Sequence, residues 1–180
     1  MLMTLQDNLV VDLIAWLFIH LSIGFLSTRI PLSQLDPLAR LYRPRNWERD
    51  GEIYQRLFHV RRWKHLAPPG ARIYGSYSVQ HLHDFSRPDL ERWLRESCRA
   101  EVCHWLLIPP GLLFFLWNGM YIAIAMVLYA VVNNALPIVL QRYNRPRVWR
   151  LMGRLEAKQA RSTRNTGKLH RQATHSGARR

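Results

Sequence analysis

Residues 120–140, MYIAIAMVLYAVVNNALPIVL, decide the fold, because these 21 residues include no charged side chain. An apolar α-helix of about 20 residues crosses the roughly 30 Å hydrocarbon core of a bilayer. Two other apolar stretches, residues 9–26 and 102–117, occur earlier in the chain. The pattern predicts an all-α membrane protein. Its parts are an N-terminal anchor helix, cytoplasmic amphipathic helices, a C-terminal transmembrane helical hairpin and a disordered basic tail.

The dipeptide Asn118-Gly119 separates the last two apolar stretches and is typical of a tight turn. Ser86 and Asp89 resemble a capping box at the start of the helix that leads into the second stretch. Pro109-Pro110 should bend that helix inside the bilayer. The two spans therefore form an antiparallel hairpin, and their polar ends lie side by side.

The first apolar stretch, residues 9–26, is interrupted by Asp12 and His20. A secretory signal peptide begins with a basic region, whereas Asp7 is the only charge before this stretch. This favours an uncleaved anchor, and a cleaved signal peptide remains the alternative.

The basic residues predict the orientation in the cell membrane. Residues 27–104 carry 14 basic side chains against 9 acidic ones, and residues 141–180 carry 12 against one. By the positive-inside rule, a multi-pass protein with three spans has its central loop and C-terminal tail in the cytoplasm. The segments are an anchor (1–26), a cytoplasmic interfacial segment (27–101), a transmembrane hairpin (102–150) and a disordered basic tail (151–180).

The net charge of +14 comes almost entirely from arginine, since the chain has only three lysines. A basic chain favours an anionic partner, and the apolar spans indicate membrane lipid rather than nucleic acid. Cys98 and Cys103 lie five residues apart and point to different helix faces, so no disulfide or metal site is expected. No cofactor-binding motif such as a P-loop or a dinucleotide glycine pattern is present.

The central segment contains a pattern typical of a helix on the membrane surface. Asn46 is a candidate N-cap, with Glu48 and Asp50 in the first turn. Apolar residues then fall near one face, and basic residues follow. The apolar residues are Trp47, Tyr54, Leu57 and Phe58, and the segment ends in Lys64 and His65.

The polar ends of the hairpin bring together groups that can carry chemistry. Glu101 and His104 share a helix face, so the carboxylate can orient the imidazole as a general base. The string QRYNRPR, residues 141–147, follows the other span. Its arginines can hold phosphate or an oxyanion in a bidentate fork, and Asn144 suits sugar hydroxyls.

Five strings in the chain resemble the glycosyl-4,4'-diaponeurosporenoate acyltransferase family of staphyloxanthin-type carotenoid biosynthesis. They occur in the family's order from about residue 28 to 150, and the last is the most specific. The strings are Thr28-Arg29-Ile30-Pro31, Val60-Arg61-Arg62-Trp63-Lys64-His65, His81-Leu82, Arg99-Ala100-Glu101 with His104-Trp105, and residues 141–147.

The resemblance implies transfer of a fatty acyl group to the C6 hydroxyl of the glucosyl group of a glycosylated C30 carotenoid. We expect acyl-CoA or acyl-carrier protein as donor, and the glycosylated carotenoid or a related glycolipid as acceptor. The candidate catalytic residues are His104, Glu101 and the rival base His65. The candidate substrate-binding residues are Arg142, Asn144, Arg145, Arg147, Arg99, Lys64 and His81.

Three alternatives stay open. Cys103 could carry the acyl group as a thioester. The enzyme could act on another glycolipid. The protein could instead be a non-enzymatic membrane protein that binds anionic lipid or a pathway enzyme.

Overall fold

The computed structural model of the protein describes residues 5–66 and 86–177, with side chains described for residues 8–66 and 86–161. These residues form helices, turns and bends without a strand, which confirms the all-helical prediction for this part of the chain. The α-helices are α1 Leu5–Thr28, α2 Glu52–Phe58, α3 Val60–Trp63, α4 Arg87–Leu106 and α5 Met120–Gly177. Short 3-10 segments cover Leu32–Gln34, Asn46–Gly51, Lys64–Leu66 and Pro109–Leu116.

Three helical stretches of the described chain are long and apolar enough to cross a membrane. They are Asn8–Thr28, Arg87–Leu116 and Met120–Arg161. Their outward side chains are large and apolar, as lipid-facing surfaces require; Phe18 of α1, for example, is 71% exposed. The prediction of a membrane protein with three spans agrees with this arrangement.

The second and third spans form the predicted antiparallel hairpin. The turn lies between Leu116 and Met120. Residues in contact across the two arms lie progressively farther from the turn on both arms. In order from the turn they are Gly111 with Ala130, His104 with Asn134, Glu101 with Arg142, Ser97 with Arg145 and Arg87 with Glu156.

Helix α1 packs beside the hairpin with its N-terminal half at the turn. The Asp12 carboxylate accepts hydrogen bonds from Trp117 Nε1 at 2.7 Å and from Asn118 Nδ2 at 2.8 Å. At the other end, the Ile30 carbonyl accepts a 2.7 Å hydrogen bond from Arg99. Residues 29–66 therefore lie at the same end of the bundle as the polar ends of the hairpin.

Helix α4 starts as the sequence predicts and ends slightly earlier. The Ser86 hydroxyl caps it by accepting from the Asp89 backbone N–H at 3.4 Å. The α-helix ends at Leu106, and the chain continues as the 3-10 segment Pro109–Leu116. The regular α-helical hydrogen bonding thus stops before the two prolines, because proline has no backbone N–H to donate to the preceding turn.

The predicted continuous surface helix beginning at Asn46 is wrong. The N-cap position is Arg45, whose backbone N–H is bonded by the Glu48 carboxylate at 3.1 Å. Arg49, Asp50 and Gly51 all have positive φ, so the chain turns left-handed before α2 begins at Glu52. Tyr54 is buried, whereas Trp47 remains exposed. The apolar periodicity could not reveal this turn, because only Gly51 of the three residues adopts positive φ without steric cost.

The predicted disordered tail is also wrong as far as Gly177, because α5 runs through it. Residues 151–160, LMGRLEAKQA, are mostly strong helix formers and contain no proline. Met152 is buried against Leu90, Trp93 and Leu94 of α4, so packing as well as propensity holds the first turns beyond the string QRYNRPR in the helix.

Two glycines test the hairpin packing. A Cβ at Gly111 would lie 3.0 Å from Ala130 Cβ and 3.4 Å from Val127 Cα, whereas a Cβ at Gly119 meets nothing within 4 Å. We expect Gly111→Leu to lower stability by about 1–3 kcal/mol through overpacking. The matched control Gly119→Leu should change stability by less than about 0.5 kcal/mol. Thermal unfolding in detergent measures both, and equal effects would contradict the close approach.

Candidate functional site

A buried cluster of four charges, Glu48, Glu101, Arg142 and Arg145, joins the polar ends of the hairpin to the loop that precedes α2. Glu101 lies at its centre. One carboxylate oxygen accepts from Arg142 Nε at 2.8 Å and lies 2.7 Å from the same guanidinium's terminal nitrogen. The other oxygen accepts from Arg145 at 2.7 Å. We call these four residues the charge cluster.

Glu48 completes the charge balance from the preceding loop. Its carboxylate accepts from Arg142 at 2.8 Å and from the Tyr54 hydroxyl at 2.9 Å. Burial raises the pKa of the Tyr54 phenol, and the nearby Glu48 carboxylate raises it further. The phenol therefore stays protonated at ordinary pH and donates its hydrogen bond.

The four side chains are almost completely removed from solvent, with side-chain exposures between 0% and 11%. Two positive and two negative charges compensate each other, as buried charges require. Their remaining donors are also used: Arg145 bonds the Tyr42 carbonyl at 2.8 Å, and Arg142 bonds the Leu41 carbonyl at 2.7 Å. Arg142 and Arg145 of QRYNRPR therefore bind the loop that precedes α2 to the hairpin.

This bonding pattern explains why the motif uses arginine. Arg145 reaches a carboxylate, a backbone carbonyl and the Ser97 hydroxyl from one planar group. A lysine ammonium has three donors on one atom and cannot span these positions. The expectation that Arg142 and Arg145 bind donor phosphate is not supported, because their guanidinium groups already bond carboxylates and backbone carbonyls.

Arg147 and Tyr143 form a second layer beside the charge cluster. The Arg147 guanidinium lies 3.5 Å from the centre of the Tyr143 ring, and it donates to the Tyr143 carbonyl. The buried Tyr143 hydroxyl accepts from Arg61 Nε at 3.3 Å. Gly51 passes close to this layer: a Cβ there would lie 2.9 Å from the Tyr143 carbonyl oxygen, and its φ of 83° also favours glycine.

His104 is not oriented by Glu101, which corrects the predicted dyad. Its Nδ1 lies 2.9 Å from Asn134 Oδ1 on α5, whereas Glu101 bonds Arg142, Arg145 and Trp105. Two arginines outcompete one imidazole for a buried carboxylate because they bring full positive charges.

The Asn134 amide determines which nitrogen of His104 carries the proton. Asn134 Nδ2 donates to the Ala130 carbonyl at 2.8 Å, which fixes Oδ1 toward His104. An amide oxygen only accepts, so Nδ1 of His104 is the protonated nitrogen. The lone pair then lies on Nε2, which is the arrangement that a general base needs.

The other predicted site residues whose side chains are described lie at the same end of the bundle. Arg99 pairs with Glu96 at 2.9 Å, and its Nε is buried without a partner among the described residues. Asn144 is half-buried, and Lys64 and His65 are exposed. His81 lies outside the described residues. The part of the chain with described side chains contains no cluster of three or more His, Cys, Asp or Glu that could hold a metal.

Three residues that matter here were missed as site residues in the sequence. The sequence pattern indicates only a helix-start role for Glu48, whereas in the structure its carboxylate pairs with Arg142 of the motif. Asn134 lies in the uncharged run 120–140, and the sequence alone does not identify its partner. His20 lies within electrostatic range of His104, and its Nδ1 bonds the Trp16 carbonyl at 2.8 Å. For Asn134 and His20, the signal in the sequence was the energetic cost of placing a polar side chain in an apolar span.

These features define an all-helical membrane protein with an imidazole–amide pair next to a buried arginine–carboxylate cluster. A family model described as glycosyl-4,4'-diaponeurosporenoate acyltransferase matches residues 38–154. Curated proteins of that name from Staphylococcus aureus are similar to the chain. The protein of strain N315 is 32% identical over 76% of this chain and 83% of its own. The protein of strain Newman is 32% identical over 79% and 87%.

The chain belongs to the glycosyl-4,4'-diaponeurosporenoate acyltransferase family. It is therefore an acyltransferase, and the predicted resemblance is confirmed. No solved structure matches the chain. The matched residues include the charge cluster, His104 and Asn134 but not α1.

The charge cluster predicts an unequal response to the same substitution at two arginines. Arg145→Lys should destabilise the protein by about 3 kcal/mol or more, because the buried Glu101 loses much of its bonding. Arg150→Lys, at an exposed position of the same helix, should change stability by less than about 0.5 kcal/mol. Thermal unfolding in detergent provides the comparison. A stable Arg145→Lys protein with a raised KM for the acyl donor would instead make Arg145 a donor-binding residue.

Proposed function

We propose that the protein transfers a fatty acyl group from a thioester donor to the C6 hydroxyl of the glucosyl group of glycosyl-4,4'-diaponeurosporenoate. The names of its relatives support an acyltransferase of carotenoid biosynthesis. The single structural observation that carries the proposal is the His104–Asn134 pair, because it leaves the Nε2 lone pair of His104 free to accept a hydroxyl proton.

The depth of His104 suits the proposed acceptor. A long polyene with a sugar head lies in the bilayer with the sugar at the polar boundary. His104 follows Glu101 by one helical turn, roughly 5 Å farther toward the turn of the hairpin. It is half-buried rather than sealed in the bundle. A sugar hydroxyl at this boundary can therefore reach the ring, while the polyene lies along the lipid-facing helices.

The reaction needs one base and no covalent enzyme intermediate. His104 Nε2 takes the proton of the C6 hydroxyl as its oxygen attacks the thioester carbonyl carbon. The tetrahedral intermediate collapses, the carbon–sulfur bond breaks, and the imidazolium returns the proton to the departing thiolate. The products are a sugar ester and a free thiol. Asn134 accepts from Nδ1–H throughout, so it holds the ring in one orientation.

The charge cluster acts as a positioning device in this proposal. Glu101 lies on α4 three residues before His104, and Arg142 and Arg145 lie on α5 beyond Asn134. Their ion pairs hold the two helices in register, which keeps His104 opposite Asn134. The exposed Lys64 and His65 and the half-buried Arg147 are the remaining candidates for the donor's phosphates, with acyl-CoA or acyl-carrier protein as donor.

Acceptors other than the carotenoid glycoside remain compatible with this mechanism, because His104 contacts only a primary hydroxyl. The alternative is therefore an acyltransferase for another glycolipid. The non-enzymatic alternative is not favoured, because the matching family model and the curated relatives carry the name of an acyltransferase. We propose the inner leaflet of the cell membrane as the location, from the positive-inside rule.

The base assignment is tested by comparing two histidines. Purified protein is incubated with acyl-CoA or acyl-carrier protein and the glycosylated carotenoid, and mass spectrometry follows the acyl ester. His104→Gln should slow the chemical step by roughly 10²-fold or more. His65→Gln, at an exposed position, should leave that step within about twofold. The reverse ranking would transfer the role of base to His65, and full activity in both variants would end the proposal of histidine catalysis.

The direct mechanism also predicts the behaviour of Cys103. This thiol is half-buried next to His104 in the chain, so it is the obvious candidate for an acyl-enzyme. Cys103→Ala should retain at least about half of the rate, because removal of a true nucleophile costs orders of magnitude. Loss of activity with intact helical circular dichroism, or a protein adduct with the mass of an acyl group, would establish the covalent route.

A further inference from the structure

Asn133 and Asn134 are neighbours in the sequence but serve different surfaces of α5. Asn134 is buried and bonds His104 across the hairpin. Asn133 points outward and is exposed. Among residues 8–66 and 86–161, no hydrogen bond to its side chain is found. Of the two neighbouring amides, only that of Asn134 therefore has a hydrogen-bond partner among the described residues.

The position of Asn133 makes an unpaired amide costly. It lies seven residues before the end of the apolar run 120–140, which corresponds to about 10 Å of helix. At that depth the outward face of α5 meets lipid, whereas His104 and Asn134 face the interior of the hairpin. An amide without a partner in an apolar medium costs roughly 2–7 kcal/mol, so this surface requires an occupant that can form hydrogen bonds.

The amide lies in a shallow groove on the outer face of α5. The lining residues recur at intervals of three and four, as in the seam between two packed helices. Ala125 is small enough to allow a second backbone to approach closely. The lining residues are Ala125, Leu128, Tyr129, Val132, Asn133 and Leu136.

The occupant is identified by the partial charges of the amide. Lipid tails and polyene chains have no donor or acceptor to offer. A second asparagine offers both, because the amide's partial positive NH2 and partial negative oxygen complement those of an identical group. Two copies of one chain share the same orientation in the membrane, and a two-fold axis along its normal places Asn133 opposite Asn133 at one depth.

We propose that the groove of α5 is a homodimer interface, in which two copies pack through this seam and their Asn133 amides bond each other. The inference is independent of the proposed acyl transfer. Helices that cross near Asn133 diverge toward their ends. The basic continuations of α5 are thus kept apart, which limits the repulsion between them.

Cysteine crosslinking in native membranes tests whether the groove of α5 forms the dimer interface. Leu128→Cys and Leu136→Cys lie in the groove, and each should form a disulfide-linked dimer under mild oxidation. Val131→Cys is the matched control, because Val131 is exposed on the same helix but outside the groove. The unsubstituted protein shows the background from Cys98 and Cys103. Crosslinking at Val131 in place of the groove positions would overturn the proposal.

The contribution of the Asn133 amide to dimerisation is tested by energy transfer between labelled full-length copies in liposomes. The measurement covers a range of protein-to-lipid ratios. Asn133→Leu should raise the dimer dissociation constant by about 3- to 30-fold, the range of interhelical polar bonds in membranes. Val131→Leu should leave it unchanged. Circular dichroism checks that both variants stay helical. A monomer at every ratio, or equal association of Asn133→Leu and the original protein, would refute the proposal.

Discussion

The ion pairs of Glu101 with Arg142 and Arg145 are the constraint on which the rest of the structure depends. A carboxylate with no exposed side-chain surface is tolerated only because two guanidinium groups compensate it. The arginines lie on α5 and the carboxylate on α4, so the pairs fix how the two arms of the hairpin face each other. Glu48 extends the same bonding to the loop. The position of His104 opposite Asn134 follows from this register.

The sequence was sufficient for the spans and the hairpin because the bilayer imposes simple rules on length and polarity. The uncharged run 120–140, the Asn118-Gly119 turn and the Ser86 cap each have one dominant physical interpretation. The left-handed turn at Arg49, Asp50 and Gly51 had no such signal. It depends on tertiary contact, since Gly51 lies directly against Tyr143. The helical tail was missed because its high charge outweighed the helix propensity of residues 151–160.

The candidate site was predicted as a set of residues but not as a set of bonds. Glu101, His104 and the arginines of QRYNRPR do meet at one end of the hairpin. Spacing within one helix suggested that Glu101 orients His104, but the partners of both residues come from α5. A one-dimensional pattern shows which side chains share a helix face. It does not show which of several neighbouring groups bonds a carboxylate, because that depends on the charge of each group and on its distance across the helices.

The mutual compensation in the charge cluster also has an evolutionary consequence. Loss of Arg142 or Arg145 removes a counterion from the buried Glu101 carboxylate. Loss of Glu101 leaves the two arginines without the carboxylate that they share. Each single step passes through a less stable protein, whereas paired replacement by apolar residues does not. The four positions are therefore expected to change together in evolution or to stay unchanged. The rest of the membrane helix surface should tolerate single substitutions.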